Sequence, residues 1–277
     1  MLAALIIVFR EVIEAGLVVG IVLAATRGVP GRARWIAAGI AAGLAGAAIV
    51  AGFADVIANA FTGAGQELLN AGVLVIAVLM LGWHNVWMSR HGREMAQEMH
   101  AAGLEVVEGK RPTRMLAVVV GVAVLREGSE VVLFLYGVGA QGGVTGGGIV
   151  FGGLIGVLLG AFVAFLMYRG LLKIPTRHLF TATSTLIALL AAGMAAQAVA
   201  FLEQAGLIDL LDQPLWDSSG LLNQQSLAGR VLHTLIGYTD QPTGVQLLAY
   251  LATLATIALL MRLVRQPRPA LPRTRSA

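Results

Sequence analysis

Arg10-Glu11-Val12-Ile13-Glu14 lies in the middle of an apolar run, Leu2 to about Ala25, that contains no other charge. On insertion scales, an arginine or glutamate near the bilayer centre costs roughly 2.5–3.5 kcal/mol. A helix that keeps three such residues has a use for them. The arrangement is also repeated: Arg126-Glu127-Gly128-Ser129-Glu130 supplies the only charges of a second apolar run, Met115 to Val138. R-E-x-x-E therefore occurs once in each half of the chain.

The composition around these motifs is that of a polytopic helical membrane protein. Of 277 residues, 57% are hydrophobic and only 12% charged, against about a quarter charged in a soluble domain. Seven apolar runs are long enough to span a bilayer: about 2–25, 35–57, 67–88, 115–138, 147–168, 179–202 and 245–263. Lysine and arginine set the orientation. Sixteen of the 19 basic residues fall in the first, third and fifth links and the tail. The N-terminus is therefore expected outside and the C-terminus in the cytoplasm. On this reading the pI near 10.0 reflects topology, and no nucleic-acid partner is expected. The opposite surface carries Asp209, Asp212, Asp217 and Asp240.

Spans one to three and four to six read as a repeat. Each triplet opens with R-E-x-x-E, and each second helix carries a glycine stripe at small-xxx-small spacing: Gly39 and Gly43, then Gly152, Gly156 and Gly160. A triplet has an odd number of spans, so the second copy is expected upside down relative to the first, as in transporters with a midplane site. The expected organisation is a first three-helix repeat over 1–88, a polar cytoplasmic linker over 89–114 and a second repeat over 115–202. An extracytoplasmic loop over 203–244 follows, and then a seventh helix with a basic tail over 245–277. The linker reads as a short helical hairpin or amphipathic helix. Ser226 is placed to start an interfacial helix within the loop.

Glutamates three apart project from one helix face, and arginine reaches a glutamate four residues on. If the two motif helices cross, Glu11, Glu14, Glu127 and Glu130 meet with Arg10 and Arg126. Two net negative charges then remain for a cation to offset. The bland alternative is an ion-pair network that ties helices together, but duplication at equivalent positions favours the cation site. All-oxygen donors suit hard ions such as magnesium, calcium, manganese and ferric iron, and spacing does not choose among them. Asp55, Glu67, Asn70 and Glu203 lie at outer helix ends and read as a possible vestibule. His84, near the inner end of span three, reads as a possible exit-side ligand. No cysteine and no H-E-x-x-H are present, and Asp217-Ser218-Ser219-Gly220 has no partner base, so an enzyme is not expected.

These motifs resemble the oxidase-dependent iron permease family, which comprises fungal high-affinity iron permeases and bacterial ferrous-iron-uptake permeases. The resemblance rests on the two R-E-x-x-E motifs in spans one and four. It extends to Gln66-Glu67-Leu68, Ala191-Ala192-Gly193, Glu203-x-Ala205-Gly206-Leu207 and Gly237-Tyr238. It implies an iron-uptake permease of the bacterial inner membrane, with iron as substrate and no prosthetic group. The moving ion would be ferric, made by an extracytoplasmic ferroxidase, with iron-binding or peroxidase-like partners outside. Glu11, Glu14, Glu127 and Glu130 would bind iron, with Arg10 and Arg126 in support. The family's usual motif is R-E-G-L-E, and here the charged positions are kept. Asn70 stands where the family often has a second glutamate after Glu67, which shifts an outer capture site toward Asp55 and the long loop. A divalent-cation or proton-coupled cation transporter using the same carboxylates is the alternative.

Overall fold

A computed structural model describes residues 1–60, 66–141, 145–170 and 176–265. Among them the chain is helical: α1 (Leu2–Ala25), α2 (Arg32–Ala60), α3 (Gln66–Val107), α4 (Met115–Ala140), α5 (Gly146–Tyr168), α6 (Thr176–Gln204), α7 (Leu227–Ile236) and α8 (Gly244–Arg265). Among the described residues, five segments are long and apolar enough to cross a membrane: Arg32–Ala54, Gln66–Met88, Gly146–Tyr168, Thr181–Gln204 and Gly244–Val264. α1 and α4 are of matching length, at 24 and 26 residues, or about 36–39 Å at 1.5 Å per residue. They differ from the five only in the three charges of their motifs.

Local signals set the helix ends. α1 stops before a turn built on Gly28 (φ 90°), Pro30 and Gly31 (φ 73°). Thr26 and the Arg32 guanidinium donate to the last carbonyls, those of Val22 and Leu23, at 2.7 and 2.8 Å. The Ser226 hydroxyl caps α7 by accepting from the Gly229 amide at 3.0 Å, and Gly237 ends that helix in the left-handed region. α3 departs from the sequence expectation. The third apolar run was expected to end near 88, with a separate hairpin or amphipathic helix beyond it, but α3 runs unbroken to Val107. No proline or left-handed glycine interrupts the polar stretch, and the stop comes at Gly109 (φ 73°). There the Lys110 amide reaches back to the Glu105 carbonyl at 2.9 Å.

Glycine stripes decide the packing. A Cβ on Gly39 would lie 2.6 Å from the Ala117 carbonyl oxygen, and one on Gly43 would lie 2.7 Å from Val124 Cβ and 2.8 Å from the Gly121 carbonyl. α2 therefore lies backbone-close against α4, and the two run parallel, because Gly39, Gly43 and Gly46 meet successively later residues of α4. α5 treats α1 in the same way. Gly156 is 2.7 Å, by the same measure, from the Leu5 carbonyl and 2.9 Å from Val8 Cβ, and Gly160 is 2.9 Å from the Phe9 carbonyl. The partners correspond in register: Gly121, Val124 and Leu125 stand 116 positions after Leu5, Val8 and Phe9, the same offset that separates Arg126 from Arg10.

The remaining faces complete the bundle. Ile7, Leu74, Leu81, Phe134, Ile187, Met194 and Ile257 form a buried core from α1, α3, α4, α6 and α8. α2 and α5 turn large apolar side chains outward, among them Leu44, Phe53, Phe151, Leu158 and Phe162. An apolar periphery around a packed centre is the arrangement expected of helices in lipid.

Candidate metal centre

α1 brings Arg10, Glu11 and Glu14 into the centre of the bundle, where all three are at most 3% exposed. The i, i+4 spacing produces the expected pair: Arg10 Nε donates to Glu14 Oε1 at 2.8 Å. Arg10 Nη1 lies 3.8 Å from Glu11 Oε1. α4 repeats both pairings at its own motif, with Arg126 Nε 3.1 Å from Glu130 Oε1 and 3.9 Å from Glu127 Oε1. The two motifs face one another across the core, which is the crossing that the sequence reading takes as the condition for their carboxylates to meet.

The residue that joins them is His84. The sequence suggested an exit-side position near the inner end of span three. Instead α3 carries the imidazole between the two motifs, with 3% of the residue exposed. Its Nε2 lies 3.6 Å from Glu14 Oε2 and 4.0 Å from Glu11 Oε2, and its Nδ1 packs against Glu130 Oε2. The ring is held edge-on to Phe134, with centroids 6.3 Å apart. Next to it, Asn85 Nδ2 donates to the Ser184 carbonyl at 2.9 Å and fixes α3 against α6. The signal in the sequence was modest: His84 is the one histidine within an apolar run, but its depth relative to the motifs depends on how α3 crosses α1 and α4.

Glu11, His84, Glu127 and Glu130 each offer a ligand atom, and these atoms all lie within 4.8 Å of one another. Ligands on opposite sides of one ion stand about 4–5 Å apart when metal–ligand bonds are about 2.0–2.6 Å, so the cluster has the dimensions of a single-ion site. Both Glu11 oxygens, and Oε2 of Glu14 and Glu127, accept no hydrogen bond among the described residues, and Oε2 of Glu130 has the His84 ring nitrogen against it. Buried carboxylate oxygens without donors are costly, and a bound cation satisfies them. A cavity of about 400 Å³ reaches the cluster from one side, lined by Leu79, Met80, Trp83, His84, Arg126 and Glu130. The Arg126 guanidinium in its wall lies over the Trp87 ring, 4.2 Å from the centroid.

Of the expected outer residues, Glu67, Asn70 and Glu203 do not join this cluster. Glu67 is exposed in the first turn of α3, and Asn70 is half-buried one turn further on. Glu203 spends both oxygens on holding α6 to the start of α8, accepting from Thr243 Oγ1 and Gln246 Nε2 at 2.7 Å each. The side chains of Asp55 and Asn59 lie outside the described residues. In the long loop, Ser218 hydrogen-bonds Tyr238 Oη at 2.8 Å and the Asp240 carbonyl at 3.1 Å, which gives it a structural role.

Residues 1–265 match the family model described as the iron permease FTR1 family. The chain belongs to that family. It is similar to proteins named ferrous iron permease EfeU from Escherichia coli O157:H7 and from Shigella sonnei. Each is 30% identical over 247 residues, which cover 88% of both chains. The protein of the same name from Yersinia pestis is 29% identical over 255 residues, covering 90% of this chain and 89% of that one. No solved structure matches. The iron permease family is one of transporters, and with its apolar helices this chain is a multi-pass membrane protein.

Proposed function

We propose that this permease takes up iron across the bacterial inner membrane by binding the ion between the two R-E-x-x-E motifs. Glu11, Glu14, Glu127 and Glu130 serve as ligands, and Arg10 and Arg126 orient them and offset part of their charge. The observation that carries this reading is the convergence of both motifs on one buried cluster with unsatisfied carboxylate oxygens. In our reading the repeats are inverted. α1 runs parallel to α5 and α2 parallel to α4, which is the pairing that two upside-down triplets produce. The N-terminus is outside and the C-terminus cytoplasmic, in keeping with the distribution of basic residues. The carboxylate-rich donor set suits ferric iron, supplied by an extracytoplasmic oxidase with iron-binding or peroxidase-like partners.

A second reading has a divalent ion, ferrous iron included, moving through the same carboxylates, with or without proton coupling. The imidazole beside the glutamates favours it, and the relatives are named as ferrous iron permeases.

The test is uptake of radiolabelled iron by cells carrying the wild type or Glu14→Gln plus Glu130→Gln, with iron given as ferrous, with and without an oxidant. The proposal expects oxidant-dependent uptake in the wild type and none in the double variant at equal membrane levels. Uptake without oxidation selects the divalent reading. Undiminished uptake by the double variant removes the motifs from the transport path.

A further inference from the structure

We infer that His84 is a direct ligand of the transported ion and that its imidazole sets the preference of this site for transition metals over magnesium and calcium. The inference rests on the reading that the motif glutamates hold the ion. Each ring nitrogen faces a different motif: Nε2 faces Glu14 and Glu11, and Nδ1 faces Glu130. A neutral imidazole has one N–H and one lone pair, and a carboxylate only accepts. With carboxylates on both sides, the ring can carry a proton on each nitrogen and donate both ways when no ion is bound. An ion that coordinates one nitrogen takes the place of the proton there, and the opposite N–H still anchors the ring on a glutamate, as the outer N–H of a metal-bound histidine usually does.

The chemistry of the donor set gives the selectivity. The glutamates alone form an all-oxygen site, which magnesium and calcium also fill. Adding an imidazole nitrogen favours transition metals such as iron, copper and zinc, whereas hard alkaline-earth ions prefer oxygen. The ring cannot easily withdraw from this role, because Phe134 holds its edge and the neighbouring Asn85 is tied to Ser184. The cavity at Arg126 and Glu130 opens onto the same ring, so an ion leaving or entering on that side passes the imidazole.

X-ray absorption at the iron edge of the purified, iron-loaded full chain tests this directly, because a bound imidazole adds ring scattering that carboxylates lack. The wild type should show it, and His84→Gln should bind iron without it. In cells, the magnesium or calcium concentration that halves iron uptake should fall about tenfold or more in His84→Gln, since even indirect partners of a metal are worth roughly 10–100-fold in affinity. A wild-type spectrum without imidazole scattering overturns the inference, even if His84→Gln fails to fold, and leaves His84 as a bridge between the motifs. Loss of bound iron in Glu11→Gln plus Glu127→Gln alongside such a spectrum keeps the glutamate site and removes only His84. Full iron loading in that double variant overturns the glutamate reading itself.

Discussion

The two R-E-x-x-E motifs share their charges and internal pairing, yet one is sealed and the other is open. Around the first, Arg10 is 1% exposed and its glutamates no more than 3%. At the second, the Arg126 side chain is 36% exposed and that of Glu130 13%, beside the cavity. Helix packing is symmetric, since Gly43 against α4 matches Gly156 against α1. Access is not symmetric. The repeat supplies equivalent carboxylates, but its third helices differ: α3 brings His84 and Trp87 to the motifs, and the cavity borders only the second of them.

The arginines should split this comparison most widely. Arg10→Ala strips a buried network of its cation, and breaking such a network costs about 3–5 kcal/mol. Arg126→Ala should cost about 1 kcal/mol or less, as half-exposed pairs do. Thermal unfolding of the purified variants measures both, and equal losses would erase the sealed-versus-open distinction.

The glycine stripes test the symmetric side of the comparison. Gly43→Leu and Gly156→Leu each push a side chain into a facing backbone, and overpacking costs about 1–3 kcal/mol. Their losses in unfolding temperature should match closely. A large loss in one with none in the other would break the equivalence of the two contacts.

Access can be probed because the chain has no cysteine. Met80→Cys lines the cavity and should react with a water-soluble thiol reagent, more slowly when iron is present. Ile13→Cys, at a position 2% exposed inside the first motif, should stay unlabelled over the same time. Labelling of both would show that the first motif also opens to water. The smallest effect is expected away from both motifs. Glu203→Gln weakens the tie between α6 and α8 by about 0.5–1.5 kcal/mol and should leave iron affinity unchanged. A drop in affinity would restore Glu203 to the ion path.

Much of this was legible in the sequence because it is encoded locally. Apolar run length gave the helices, the four-residue spacing gave Arg10–Glu14 and Arg126–Glu130, and a serine three residues before Gly229 gave the start of α7. Duplication singles out the two motifs, but their meeting depends on how α1 crosses α4, which the sequence reading leaves as a condition. The place of His84 could not be read in this way. Trp83, next to it, is 74% exposed, and only the crossing of α3 with α1 and α4 decides that the histidine points inward and the tryptophan outward. The length of α3 was missed for a related reason: beyond Met88 the apolar signal stops, although helix formers without breakers carry the backbone on to Val107. Glu203 looked like a spare carboxylate because its partners, Thr243 and Gln246, lie some forty residues along the chain.

The central claim is that two motifs make one site. Iron bound per protein should be measured for the purified wild type, for Glu11→Gln plus Glu14→Gln, and for Glu127→Gln plus Glu130→Gln. A shared site predicts that either double variant loses all the high-affinity iron. Retention of half the wild-type iron by each variant would mean two independent sites and would contradict the account.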